Sequence, residues 1–257
     1  MLHRGKDIKL TRLALGDGQR HFFEGGTSLF DRFALALCDL RYFSKKEYFE
    51  SFHFSRRVQR LVAQYPTGNP FTVVDVGAGH GLTGLFLVAY SNAKRVKDVI
   101  LLDPFVPTRA HELFALFAEH VPHVKHRVQR AVCTFSEWVE TMESDPERAN
   151  QRYLWTACHG CGQLSDAVLA VALRRREPFV LMPCCPNRRL DHWPRGYEPL
   201  PDVAIDSSTD IGIALDMMRA GQARAAQYRM LIRTIDEEIT PFNRVLIGRP
   251  SEDKIKN

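Results

Sequence analysis

The stretch Val73–Gly81, VVDVGAGHG, constrains the fold of this chain more than any other part of the sequence. A short apolar run rich in β-branched residues, 71–76, predicts a buried strand, and residues 81–90 after the glycines predict a helix. Glycines between a strand and a helix let the backbone turn tightly and approach a ligand closely. The sequence therefore predicts a ligand-binding turn at the carboxyl end of a buried strand.

Strand and helix patterns alternate along the rest of the chain. Further strands are predicted at 99–102, 126–132, 153–157, 179–182, 230–235 and 244–247, and helices at 109–119, 136–143, 165–175 and 211–226. This alternation predicts an α/β fold with a mainly parallel sheet covered by helices on both faces. Residues 20–65 are predicted to be helical, and the breaker cluster 66–70 follows them. We therefore expect a basic, helical N-terminal extension at 1–67, a domain at 68–250 and a tail at 251–257.

Composition indicates an intracellular protein. No apolar run approaches the ~18 residues that a membrane span needs, and the N-terminus lacks the apolar core of a signal peptide. The six cysteines are then expected as reduced thiols rather than as a disulfide framework. A cytoplasmic location is expected, and the basic residues among the first twelve leave a mitochondrial leader open.

The net charge of +5 lies entirely in residues 1–70, which hold 12 Lys and Arg against 7 Asp and Glu. Arg56, Arg57 and Arg60 form its densest part. Two interpretations stay open: a solvated helical face, or a basic surface that binds a polyanion such as RNA. The neighbouring aromatic residues could stack on bases, or could pack this segment against the main domain; they are Phe43, Tyr48, Phe49, Phe52 and Phe54.

The glycine turn has the chemistry of a particular ligand class. Asp75 opens the loop, and Gly77, Gly79 and Gly81 follow at the spacing G-x-G-x-G, which differs from the dinucleotide fingerprint G-x-G-x-x-G. A carboxylate at this point suits a cationic amino group better than a pyrophosphate. Asp103, at the end of the next predicted strand, could accept hydrogen bonds from both hydroxyls of a ribose. S-adenosylmethionine has a ribose and an amino-acid part, and it therefore fits this pattern better than a nicotinamide dinucleotide.

The stretch VVDVGAGHGLTGLFL resembles motif I of the class I S-adenosylmethionine-dependent methyltransferases. Asp103 resembles the acid at the end of their second strand. The resemblance covers roughly residues 68–250 and implies a Rossmann-like α/β fold with a seven-stranded sheet. It implies S-adenosylmethionine as the cofactor, with the methionine part at the glycine turn and the ribose at Asp103.

A second group of motifs follows the predicted strands at 153–157 and 179–182. His159-Gly160-Cys161-Gly162, Leu164-Ser165-Asp166 and Pro183-Cys184-Cys185 resemble the H-x-C-G, L-[ST]-D and P-C-C motifs of one methyltransferase branch. That branch includes the methyltransferase domain of tRNA 2′-O-methyltransferases of the Trm-thirteen type. Residues 45–47, Lys-Lys-Glu, also resemble the branch. The CCCH zinc fingers of the tRNA enzymes have no counterpart in this sequence.

Several roles remain open for these residues. His159 could act as a general base or position the substrate, with thiols lining the pocket. Cys161 or Cys184 could instead be a nucleophile, as in pyrimidine C5 methylation. A metal site would combine His159 with Cys161, Cys184 and Cys185, although two adjacent cysteines are awkward ligands for one ion, and we expect no metal. The cysteines could also be small buried hydrophobic residues.

The loop 186–201 is rich in proline and arginine and follows the predicted strand at 179–182. Arg188 and Arg189 could bind phosphates, and Trp193 could stack on a base, or the loop could be an ordinary surface loop.

Together these features predict an S-adenosylmethionine-dependent methyltransferase that acts on RNA, either tRNA or rRNA. The alternative is a catalytically silent protein with the methyltransferase fold that binds RNA or assists ribonucleoprotein assembly. A methyltransferase for protein or small-molecule substrates is a third possibility.

Overall fold

The computed structural model describes residues 14–41, 43–160, 162–183, 208–240 and 243–252, without the side chains of residues 208–210. Within them, seven strands form one sheet in the order β3-β2-β1-β4-β5-β7-β6. The strands are β1 (Phe71–Val76), β2 (Val96–Leu102), β3 (Val128–Ala131), β4 (Tyr153–Cys158), β5 (Phe179–Met182), β6 (Tyr228–Thr234) and β7 (Arg244–Pro250). The first five are parallel, and β7 runs antiparallel to both of its neighbours.

In the described part of the chain, three helices precede the first strand, and the others lie between strands. They are α1 (Asp17–Arg20), α2 (Leu29–Leu40), α3 (Lys45–Gln64), α4 (Leu82–Tyr90), α5 (Ala110–His120), α6 (Val124–Arg127), α7 (Phe135–Ser144), α8 (Pro146–Ala149), α9 (Gln163–Arg175) and α10 (Ser208–Ala225). The predicted α/β fold with a seven-stranded sheet is confirmed. None of the helices in the described ranges is long and apolar enough to cross a membrane.

Alternating side chains of the strands divide the core into two layers. Phe71 and Val73 pack on one face of the sheet with residues of α2, α3, α4 and α5. Val74 and Val76 pack on the other face with residues of α7 and α9. This period of two is the expected result of strand geometry when both faces are covered.

The N-terminal helices α2 and α3 share a core with the sheet. Tyr48, Phe49, Phe54 and Phe43 are buried, and Phe52 is partly buried against the same core. The aromatic residues of this segment therefore pack α2 and α3 onto the sheet and α4, and they are not exposed for stacking on bases. Ser44 caps α3 by accepting a hydrogen bond from the Glu47 amide at 3.0 Å. This packing places the first turns of α3 over the carboxyl ends of β1 and β4.

Candidate functional site

A cleft opens at the carboxyl ends of β1 and β4, between the first turns of α3 and α4. Its lining residues are Glu47, Ser51, Asp75, Gly77, Ala78, Gly79, His80, Leu82, Thr83, Cys158 and His159. The cleft has a volume of ≈ 140 Å³. Pockets that enclose whole small molecules have roughly 300–1,000 Å³, so the cleft is sized for one end of a nucleoside-containing ligand.

The backbone of the turn after β1 requires glycine. Gly77, Gly79 and Gly81 all have positive φ, at 69°, 52° and 94°. At Gly81 a Cβ would also lie 2.5 Å from Leu101 Cδ1, so both the backbone conformation and the packing exclude a side chain. The position of a Cβ at Gly79 has no atom within 4 Å, which leaves the turn open toward a ligand.

The amide groups of this turn are largely engaged within the protein. Gly77 and Ala78 donate to the Leu102 carbonyl at 2.9 and 3.2 Å, and the Gly81 amide donates to the Ala78 carbonyl at 2.8 Å. These three amide groups are therefore not free to donate to a ligand. A turn that satisfies its own donors is poorly suited to a pyrophosphate, in agreement with the G-x-G-x-G spacing.

Asp103 supports the turn from the end of β2. Its Oδ2 accepts a hydrogen bond from the Gly79 amide at 2.9 Å, and its Oδ1 accepts one from the Phe105 amide at 2.9 Å. Each carboxylate oxygen has two lone pairs, so the half-buried Asp103 retains acceptor capacity for the hydroxyls of a ribose.

Arg130, on β3, is a site residue that the sequence analysis missed. Its guanidinium donates to the carbonyls of Gly79 and His80 at 2.8 and 2.9 Å. Asp103 thus holds the turn through the Gly79 amide, and Arg130 holds it through the carbonyls of Gly79 and His80. Nothing in the local sequence around Arg130 indicates this contact, which joins residues about 50 positions apart in the chain.

Asp75 lies at the floor of the cleft and is 1% exposed. Its Oδ2 accepts from the Gly84 amide at 3.1 Å, and its Oδ1 accepts from the Thr156 hydroxyl at 3.3 Å. Burial raises the pKa of this carboxyl to about 7, against the lowering effect of these hydrogen bonds. Asp75 therefore caps the start of α4 in addition to facing the cleft.

His159 has an unusual backbone conformation for a residue with a side chain. Its φ is 62°, and its amide donates to the Met182 carbonyl at 3.1 Å. Such strain of a left-handed residue is typical of functional sites. The conformation brings Nε2 of the imidazole to 3.0 Å from Glu50 Oε2, on α3. Glu50 was not predictable as a partner of His159, because 109 positions separate the two residues in the chain.

Glu50 and His159 form a buried ion pair. Burial opposes the charge on both groups. The hydrogen bond and the charge of the Glu50 carboxylate nevertheless raise the pKa of the His159 imidazole above its ordinary value. The hydrogen bond and charge of His159 likewise outweigh burial and lower the pKa of Glu50. Lys46 Nζ lies 3.2 Å from the other Glu50 oxygen. His159 is thus an imidazolium at neutral pH in this arrangement, and an imidazolium cannot accept the proton that a general base takes.

The ion pair predicts a pH dependence of stability. The pKa of His159 is higher in the folded than in the unfolded protein, so protonation of His159 stabilises the fold. This stabilisation is complete below the unfolded-state pKa of about 6.5, and it is lost as pH rises through the folded-state pKa. We expect Glu50→Gln to lower the free energy of unfolding by about 2–4 kcal/mol at pH 6, and by less at pH 8–9. Urea unfolding of the wild type and the variant at each pH measures the difference, with Glu119→Gln on the surface of α5 as the control. A difference that grows with pH would contradict the assignment.

Several predicted residues lie outside the part of the chain that the structure describes. They are Cys161, Cys184, Cys185, Arg188, Arg189 and Trp193. Cys158, at the end of β4, also lines the cleft. Burial raises the pKa of its thiol, which is therefore neutral at pH 7. In the described ranges, no cluster of three or more His, Cys, Asp or Glu residues could hold a metal ion.

Ser165 and Asp166 of the L-S-D motif have structural contacts. The Ser165 hydroxyl donates to the Gly160 carbonyl, directly after His159. Asp166 accepts two hydrogen bonds from Arg219 of α10, at 2.7 and 3.0 Å. The motif thus fixes the turn that carries His159 and ties α9 to α10.

The predicted basic residues of α3 lie at the other end of the sheet. Arg56 and Arg60 line a hollow of ≈ 310 Å³ with Gln59, Tyr90 and Arg95, together with Val62, Ala63, Ser91 and Asn92. We call it the arginine hollow. Arg57 instead donates to the Thr234 carbonyl of β6 at 2.6 Å. The part of α3 between Glu47 and Arg60 is about 20 Å long, so the hollow is well separated from the cleft.

The residues of the cleft fit S-adenosylmethionine. The amino-acid end of that molecule carries an ammonium and a carboxylate, and the cleft presents the Glu47 carboxylate and the His159 imidazolium. The open position at Gly79 and the remaining acceptor capacity of Asp103 suit a ribose beyond the cleft.

Known proteins resemble the chain at different levels. Among solved structures, a Corynebacterium glutamicum protein is 12% identical, with a TM-score of 0.47 over 77% of this chain and 81% of that chain. An rRNA methylase from Streptococcus thermophilus is 12% identical, with a TM-score of 0.42 over 78% and 93%. A geranyl diphosphate methyltransferase in complex with S-adenosylmethionine is 13% identical, with a TM-score of 0.45 over 95% and 99%. No curated protein matches the chain in sequence.

A family model supplies the assignment. The model Methyltransf_32, described as a methyltransferase domain, matches residues 48–190, which is more than half of the chain. The matched segment includes β1 to β5, the glycine turn, Asp103 and His159. The match to a methyltransferase domain supports S-adenosylmethionine, the cofactor expected from the sequence. The chain therefore belongs to the Methyltransf_32 family of methyltransferase domains.

Proposed function

We propose that this protein is an S-adenosylmethionine-dependent methyltransferase that acts on RNA. One observation carries the proposal: the same helix, α3, lines the cofactor cleft with its first turns and the arginine hollow with its later turns. A substrate that reaches both is about 20 Å long or more, and it carries negative charge. RNA meets both conditions.

The cofactor site is proposed as follows. Gly77, Gly79 and Gly81 allow close approach to the methionine part, and Asp75 supports them from the floor of the cleft. Asp103 accepts hydrogen bonds from the ribose hydroxyls while it holds the Gly79 amide. Arg130 fixes the same turn by donating hydrogen bonds to the carbonyls of Gly79 and His80. Rigid positioning of this kind lowers the entropy cost of binding.

The chemical step requires little of the protein beyond alignment. The cofactor supplies a methyl group that is already activated, so the chain's residues must orient the acceptor in line with it. His159 lines the cleft, and its pairing with Glu50 makes it a positioning residue and a source of positive charge rather than a general base. Cys161 and Cys184, which lie outside the described residues, remain candidates for substrate contacts.

The RNA interface is proposed at the arginine hollow and at the loop that contains Arg188, Arg189 and Trp193. Residues 51–97 hold six Lys and Arg residues and a single acid, Asp75, which is buried. Arg56, Arg60 and Arg95 therefore lie in a segment without exposed carboxylates of its own. Such a surface binds phosphates by releasing counterions. We also propose that the chain belongs to the branch of methyltransferases with H-x-C-G and P-C-C motifs.

The test combines cofactor binding, RNA binding and methyl transfer. S-adenosylhomocysteine binding is measured by calorimetry, and transfer of a tritiated methyl group is measured with RNA, protein and metabolite pools. We expect incorporation into RNA that ribonuclease removes. Arg56→Glu/Arg60→Glu should weaken RNA binding at least about tenfold and lower the magnitude of its salt slope by about 2, with cofactor affinity unchanged. Arg224→Glu, at an exposed position of α10, is the matched control.

Each outcome decides between the candidate functions. Cofactor binding with incorporation only into protein or metabolites would overturn the RNA assignment. A folded wild-type protein that binds RNA but neither S-adenosylmethionine nor S-adenosylhomocysteine would support the catalytically silent RNA-binding protein instead.

A further inference from the structure

Glu47 is an acidic residue at the wall of the cleft. It lies in the first turn of α3, and its side chain lines the cleft opposite the glycine turn. Its Oε1 is 3.9 Å from Nδ1 of His80, which belongs to that turn. The side chain is 43% exposed, so it can be reached by a ligand in the cleft.

The other carboxylates near the turn are already engaged. Asp75 accepts hydrogen bonds on both oxygens from Gly84 and Thr156. Asp103 accepts from the Gly79 and Phe105 amides. Glu50 is paired with His159 and Lys46.

Glu47 lacks a comparable charge partner. Burial raises the pKa of its carboxyl, and the charge of His159 only partly offsets this effect. Burial and the charge of Arg130 lower the pKa of His80, so His80 is neutral at pH 7 and does not neutralise Glu47. A partly exposed carboxylate in this position gains a charge-assisted hydrogen bond from a ligand ammonium group.

We propose that Glu47 binds the ammonium group of the cofactor's methionine part, and that the N-terminal helix α3 thereby forms one wall of the amino-acid subsite. The proposal rests on the proposed cofactor-dependent function. The ammonium group lies between the glycine turn and α3, and the carboxylate of the ligand faces the His159 side of the cleft. Glu47 therefore binds the ammonium group, for which the sequence suggested Asp75. Asp75 instead caps the start of α4 by accepting the hydrogen bond of the Gly84 amide.

The test compares two ligands that differ in the amino-acid part. S-adenosylhomocysteine carries the ammonium group, and 5′-methylthioadenosine lacks the entire amino-acid end. We expect Glu47→Gln to weaken S-adenosylhomocysteine binding about tenfold or more and to leave 5′-methylthioadenosine binding within about twofold of wild type. Glu140→Gln, at an exposed position of α7 on the opposite face of the sheet, should change neither affinity. Thermal unfolding of each variant checks that the fold is intact.

The outcomes separate this inference from the function on which it rests. Equal weakening of both ligands, or no weakening of either, would overturn the role of Glu47 while the wild-type protein still binds its cofactor. Failure of the wild type to bind S-adenosylhomocysteine would overturn the proposed function and this inference with it. Glu47→Asp keeps the charge on a shorter side chain, and its S-adenosylhomocysteine affinity should lie between those of the wild type and Glu47→Gln.

Discussion

Replacement of Arg219 by leucine is expected to lower the free energy of unfolding by about 3–5 kcal/mol, because it leaves the largely buried Asp166 without its cation and removes one of the two cations paired with the buried Asp216. Arg219 of α10 donates to both oxygens of Asp166 and lies 3.2 Å from Asp216. Asp216 keeps one partner, since Arg244 of β7 donates to it at 2.7 Å. The network joins α9, α10 and β7 behind the turn that carries His159.

Chemical and thermal unfolding measure this effect. For a protein of this size, each kcal/mol lowers Tm by roughly 2–4 °C, so the Arg219→Leu variant should unfold about 10 °C below the wild type. Arg224→Leu, in the same helix at an exposed position, should change the free energy of unfolding by no more than about 0.5 kcal/mol. A loss below about 1 kcal/mol for Arg219→Leu would mean that Asp166 and Asp216 find other partners or water.

Two glycines in helices are expected to respond to alanine with opposite signs. At Gly84 in α4, a Cβ would lie 2.3 Å from Leu101 Cδ2 and 2.9 Å from Val99 Cγ1. Both residues belong to β2 and are buried, so α4 must move away from the sheet. We expect Gly84→Ala to destabilise the protein by about 1–3 kcal/mol, despite the higher helix propensity of alanine.

Gly221 in α10 provides the matched comparison. A Cβ there would have no atom within 4 Å, so Gly221→Ala should stabilise the protein by up to about 1 kcal/mol. Movement of α4 would also shift Leu82 and Thr83, which line the cleft, so Gly84→Ala should weaken S-adenosylhomocysteine binding and Gly221→Ala should not. Stabilisation by both substitutions would show that α4 is not packed as closely on β2 as the structure describes.

The glycine turn shows how much a local pattern can predict. The apolar strand, the three glycines and the following helix were all expected, because their conformations depend on residues next to one another in the chain. The state of the amide groups was not predictable in the same way. The Gly79 amide binds Asp103, which lies 24 positions later, and only the pairing of β1 with β2 brings the two together.

His159 and the L-S-D motif show that a resemblance to a motif does not predict the contacts of its residues. The motifs directed attention to the turn after β4, and His159 of that turn lines the cleft. Its pairing with Glu50 changes the chemistry that the imidazole can perform, because a proton acceptor becomes an imidazolium. Asp166, part of a motif with a functional resemblance, is bound to Arg219 and stabilises the packing of two helices.

The basic residues of α3 were likewise predictable in charge and unpredictable in position. Their charge was evident from composition, but the helix direction that carries Arg56 and Arg60 away from the cleft depends on how α3 packs across the sheet.

The sequence by itself determined the α/β class, the order of strands and helices, the glycine turn and the family to which the chain belongs. The first three follow from the periodicity of apolar residues and from the backbone freedom of glycine, which act over a few residues, and the family was implied by the resemblance of the glycine turn to motif I. Only the tertiary structure decided the partners of Asp75, Asp103, His159 and Arg219, and the position of Glu47 in the cleft. Those partners are distant in the chain, and the burial that sets their charges exists only once the helices have packed on the sheet.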